Sequence, residues 1–100
     1  VYAIDQDPTA QPFAEALAQE FPGRFAWIVG NFADMCALLA AKGVERVDGV
    51  VLDLGVSSMQ IDQAERGFSF RTDGPLDMRM GAHGASAAEW VNGASEQELA

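Results

Sequence analysis

The chain has 100 residues, with 15 acidic side chains against 6 basic ones and a formal net charge of −9. That length suits one small domain, and the acidity argues against a broad nucleic-acid-binding surface. The single cysteine, Cys36, excludes an internal disulfide framework and fits a reducing, cytoplasmic compartment, and no apolar run is long enough to span a membrane.

Val1 to Ile4 reads as a strand in mid-course, closed by Asp5, and residues 95–100 read as a helix just begun. Both ends look cut, so the expectation is an internal piece of a larger protein. Asp7 and Pro8 suit the cap and first position of a helix, while Pro12 would remove a helix hydrogen bond unless the regular helix begins near it. Phe13, Leu17 and Phe21 recur at helical spacing and should face a sheet, and Pro22–Gly23 ends that helix. Residues 24–29 (RFAWIV) read as a second strand. Gly30–Asn31 makes the turn, with Asn31 as a cap. Phe32, Met35, Cys36 and Leu39 mark the buried face of a second helix that Gly43 stops.

Residues 47–54 read as a third strand, and Gly55 breaks it. The loop that follows, to Met80, is too long for a simple connection and too rich in Phe, Met and Leu for disorder. It is expected to form the floor and wall of a binding site. Phe68 and Phe70 alternate with polar neighbours, as in a short strand or extended segment, and residues 73–75 read as a turn. Ser86 with Glu89 and Ser95 with Glu98 have the spacing of capping boxes and announce two more helices. Strand, helix, strand, helix, strand and then helices argue for a parallel α/β sheet with right-handed crossovers.

Asp5 and Asp53 end two of these strands on the side where open α/β sheets bind ligands. A carboxylate can accept from both vicinal hydroxyls of a ribose, which suits Asp5, although a helix cap or solvated turn is its plainer role. Asp53 interrupts the apolar run of Val50, Val51, Leu52 and Leu54, where a carboxylate is costly unless something bonds to it. A cap for the Gly55 turn explains it equally simply. Phe32 could cover a flat ring or join the core, and Gln60 offers a donor and an acceptor or is solvated loop. Half of the basic residues, Arg66, Arg71 and Arg79, lie beside this region and could bind phosphate or form ordinary ion pairs. Other candidates fail. His83 has no partners at metal-ligand spacing, Cys36 reads as core, and Ser57–Ser58 lacks a nucleophile elbow.

The run DGVVLDLGVSSMQIDQAERGFSFRTDGPLDMRM (residues 48–80) closely resembles the central signature of the MraW/RsmH family. AIDQDP (3–8), GNF (30–32) and SAAEWVN (86–92) are similar to that family in the same order. The resemblance covers nearly the whole chain. It implies a partial Rossmann-like class I methyltransferase sheet over residues 1–80 and the start of an inserted helical domain over 81–100. It also implies S-adenosyl-L-methionine as cofactor and the N4 amine of a cytosine in small-subunit ribosomal RNA as target. The family's cofactor contacts fall on Asp5 at the ribose, Phe32 near the adenine, and Asp53 and Gln60 lining the site. Arg66, Arg71 and Arg79 become candidates for RNA phosphate.

Two positions depart from many relatives, Met59 in place of Pro and Gly81 in place of Asp, and neither is a proposed cofactor contact. The family's Gly-rich cofactor loop would precede Val1, and the strand expected between the first and third strands would be absent, so the segment alone is expected to fold poorly and to be inactive. An exocyclic amine has its lone pair delocalised into the ring, so acceptors for its hydrogens would raise its nucleophilicity. Asp53 or a carbonyl near it is the candidate acceptor. The base must be unstacked to reach such a pocket. Two rival readings are a nucleotide-binding enzyme of another class, such as a dehydrogenase, and a non-catalytic interaction module.

Overall fold

Two short strands, β1 (Tyr2–Asp5) and β2 (Ala26–Val29), pair in parallel, with Ala3 opposite Trp27 and Asp5 opposite Val29. Parallel pairing needs a crossover, and here it is α1 (Gln11–Glu20), which packs on β2. The computed structural model describes residues 1–100, divided into two compact units, Val1–Leu54 and Gly55–Ala100.

In the first unit, Asp7 is buried and its Oδ1 accepts from Thr9 N at 3.0 Å and Thr9 Oγ1 at 2.7 Å. It thereby caps a single 3-10 turn, Pro8–Ala10, ahead of α1. Pro12 then falls within the first positions of α1, where its missing N–H costs no helix bond. The apolar face of α1 differs from the expectation. Ala14 is buried (4% exposed), whereas Phe13, Leu17 and Phe21 are all exposed. Ala14 lies about 100° round the helix from Phe13, and a sheet of two strands offers little area to cover larger side chains. Ile28 on β2, 7% exposed, is the other buried apolar residue.

Asn31 caps the next turn, its Oδ1 accepting from Ala33 N at 2.9 Å. The 3-10 turn Phe32–Asp34 leads into α2 (Met35–Ala40). Beyond α2, Val44 N–H returns to the Leu39 carbonyl at 3.0 Å around Gly43. Cys36, expected in the core, is exposed, and Met35, Leu38 and Leu39 take the covered positions. Residues 47–54 do not form the expected third strand. The sheet has two strands, and this segment joins neither. Its composition suits a buried strand, but a strand exists only with a ladder partner. Val51 is 93% exposed as a result.

The second unit has no strand. The loop expected over residues 55–80 holds a helical turn, α3 (Ser58–Asp62), and a 3-10 turn, Ala64–Arg66. Phe68 and Phe70 lie outside any ladder, and the chain bends at residues 70–72 and at Leu76 rather than at 73–75. α4 (Ala87–Gly93) and α5 (Glu96–Leu99) begin at the two expected capping boxes. Ser86 N and Oγ donate to Glu89 Oε2 at 2.7 and 2.8 Å, and Glu89 N returns a bond to Ser86 Oγ at 3.3 Å. Ser95 N and Oγ both donate to Glu98 Oε2 at 2.8 Å. These bonds hold the Glu89 and Glu98 carboxyls below their ordinary pKa values, because they favour the charged form.

Candidate functional site

The parallel register brings two of the expected site residues to one edge. Asp5 ends β1 opposite Val29, and the turn carrying Gly30, Asn31 and Phe32 follows directly. Gly30 N–H donates to the Asp5 carbonyl at 3.0 Å, which fixes that turn against the end of β1. A side chain at residue 30 would place its Cβ 2.7 Å from Leu38 Cδ1, a contact the end of the leucine side chain would have to relieve by shifting. The Asp5 carboxylate is exposed, and its Oδ1 accepts from Asp7 N at 2.9 Å. That bond orients the group through one of its two oxygens. The Phe32 side chain is exposed where its helical turn begins. A carboxylate acceptor and an uncovered aromatic ring at the carboxyl edge of a parallel sheet fit the ribose and base of a nucleoside.

Asp53 lies in the same unit, on the exposed, unpaired stretch of residues 47–54. Gln60 belongs to the second unit. It is buried, 5% exposed, and its Oε1 accepts from Ser57 N at 3.0 Å while its own N–H donates to Ser57 Oγ at 3.2 Å. Gln60 therefore closes a capping box at the start of α3. The Ser-x-x-Gln spacing carries that signal in the sequence, by the same rule that identifies Ser86 and Ser95.

The three central arginines differ sharply. Arg66 donates from Nη2 to the carbonyls of Arg79 at 3.0 Å and Met80 at 3.1 Å. Arg79 forms a two-point pair with Asp77, Nε to Oδ1 at 2.9 Å and Nη2 to Oδ2 at 2.6 Å. Those bonds hold the Asp77 carboxyl down to about 2, from an ordinary 3.8, and raise the pKa of the Arg79 guanidinium. Arg71 is exposed, with its backbone N–H donating to Ser69 Oγ at 3.2 Å. Composition gives no warning of this division, because it depends on the backbone path of residues 64–80. No group of His, Cys, Asp and Glu in the structure could hold a metal ion, and no helix is long and apolar enough to cross a membrane.

Two parallel strands joined by a crossover helix make a small α/β unit compatible with part of a Rossmann-like fold. The chain belongs to the MraW methylase family, whose model matches residues 1–100. It is 63% identical to the ribosomal RNA small subunit methyltransferase H of Rhodospirillum rubrum over 100 residues, 100% of this chain and 31% of that protein. Proteins of the same name from Parvibaculum lavamentivorans and Methylobacterium sp. are 62% and 61% identical over the whole chain and 30% of their own lengths. The chain thus spans about 30% of the length of these curated relatives.

Proposed function

We propose that this chain forms part of an S-adenosyl-L-methionine-dependent methyltransferase of the cytoplasm, modifying the N4 amine of a cytosine in small-subunit ribosomal RNA. Family membership over all 100 residues and the names of the relatives support the reaction and the RNA class. The observation that carries the cofactor reading is the placement of Asp5 and Phe32 at one edge of the parallel sheet. Residues 1–80 contribute to a Rossmann-like cofactor domain, and residues 81–100 open a helical insertion.

When bound, the cofactor supplies an already activated sulfonium methyl group, so no covalent protein nucleophile is required. Asp5 accepts from the ribose hydroxyls through its carboxylate. Phe32 covers a face of the adenine. Asp53 serves as a further acceptor for the cofactor, while Gln60 locks the turn that begins α3. Of the arginines considered for RNA phosphate, Arg66 and Arg79 are held in internal bonds, so the proposal centres on Arg71. In-line positioning of the amine and the methyl group then supplies much of the acceleration.

Titration calorimetry of S-adenosyl-L-methionine into a family-length enzyme carrying this segment tests the site. Asp5→Ala and Asp53→Ala are each expected to weaken binding by about tenfold or more, the loss of a charge-assisted hydrogen bond. Unchanged affinity in both variants would make these carboxylates structural and move the cofactor site elsewhere.

A further inference from the structure

Residues 68–73 form a loop whose two feet are fastened to each other. Met78 N–H donates to the Arg66 carbonyl at 3.0 Å, and the Arg66 guanidinium holds the carbonyls of Arg79 and Met80. At the feet themselves the two stretches approach so closely that only glycine fits. A Cβ on Gly67 would collide with the Pro75 carbonyl oxygen, and one on Gly74 with that of Ala64. Between these fixed points the tip turns outward. Arg71 N–H bonds Ser69 Oγ, and Phe70 is 100% exposed.

Phe70 stands alone among polar neighbours at the tip of a fastened loop, and the chemistry around it narrows what could meet it. Its neighbours Ser69, Arg71, Thr72 and Asp73 are polar, so the tip is not an apolar patch suited to a protein groove or a lipid surface. One flat ring bordered by hydrogen-bonding groups and a guanidinium matches one flat, polar-edged ring bordered by a phosphate. Single-stranded nucleic acid is read in this way, bases stacking on aromatics while cations follow the backbone.

We infer that Phe70 is a positioning residue for the RNA substrate, stacking on an unpaired base while Arg71 meets an adjacent phosphate. This inference rests on the proposed ribosomal RNA reading. It places one basic contact, Arg71, at the loop tip.

The test uses a family-length enzyme carrying this segment and a single-stranded fragment of small-subunit ribosomal RNA as probe. Phe70→Leu keeps an apolar side chain and removes the ring. It should weaken RNA binding about tenfold and leave S-adenosyl-L-methionine affinity unchanged. Phe70→Trp should retain affinity, and its indole emission should be quenched when RNA is added. Arg71→Ala should reduce the slope of log affinity against log salt by about one. Wild-type RNA affinity in Phe70→Leu would overturn the inference while leaving the methyltransferase reading intact. A blue-shifted, unquenched emission in Phe70→Trp would also overturn it, because the ring would then be covered by the enzyme itself. A wild-type enzyme that binds the cofactor but not the RNA would instead overturn the RNA target, and the inference with it.

Discussion

The two compact units are held together by different means. Val1–Leu54 relies on repeating structure, a parallel ladder with a crossover helix laid on it, and its buried apolar residues are Ala14 and Ile28. Gly55–Ala100 has no ladder and is organised by local polar devices. Three capping boxes, the Arg66 bonds to backbone carbonyls and the Asp77–Arg79 pair fix its path. The amides of Ala87 and Ala88 extend this pattern, bonding the carbonyls of Asp77 at 2.7 Å and Leu76 at 2.9 Å. The first unit is therefore limited by how much apolar surface it covers. The second is limited by whether each bond finds its partner, so single-atom changes should matter more there.

The sharpest way to break this contrast is to disturb the close approach in the second unit. Gly67→Ala combines a collision with a backbone φ of +71° that alanine resists. The φ strain alone costs about 1–3 kcal/mol, and urea denaturation of a family-length enzyme should show at least that loss. A comparable Gly23→Ala change in the first unit meets φ +73° but open space, so it should cost only the lower part of that range. Equal losses at the two positions would mean that the fastening of residues 64–67 to 74–78 contributes nothing.

A smaller effect is expected from Ser57→Ala. It removes the side-chain cap of α3 and should cost about 1 kcal/mol, with faster hydrogen exchange at the Gln60 amide. Unchanged exchange there would show that Gln60 is held by other means.

The smallest effect is electrostatic. Asp77 has a folded pKa of about 2 against 3.8. Its contribution to stability is therefore complete above the unfolded value and disappears as pH falls through the folded one. An NMR titration should show its carboxyl signal moving between about pH 3 and 1. Asp77→Asn should abolish any stability change traced to this pair within the same window. A titration centred at the ordinary carboxylate value would show that the Arg79 pair does not persist in solution.

The sequence made the first two strands, the Asp7 and Asn31 caps, and the boxes at Ser86 and Ser95 readable, because each is encoded within a few residues. The Phe13 face lies exposed: helical periodicity identifies a stripe but not the area of the surface awaiting it. Residues 47–54 differ for a related reason: an apolar run shows that a segment can be a strand, but not that the chain supplies a ladder partner, and this segment joins neither strand of the sheet. At the candidate site, Asp5 and Phe32 could be placed from strand ends alone. The internal commitments of Arg66 and Arg79 could not, since they join residues 13 and 14 positions apart, or form within a tight turn, through backbone geometry.

Asp53 carries a second consequence. It stands within an exposed run of Val50, Val51, Leu52, Leu54 and Val56, a window with the composition of an aggregating strand. In an in-register parallel pairing of two copies, the Asp53 carboxylates would stand side by side and repel. Asp53→Ala removes this charge along with the proposed acceptor, so a loss of cofactor binding has two readings, self-pairing and lost recognition. Asp53→Glu keeps the charge while displacing the carboxylate by one methylene, so comparing the two variants by light scattering separates colloidal behaviour from recognition.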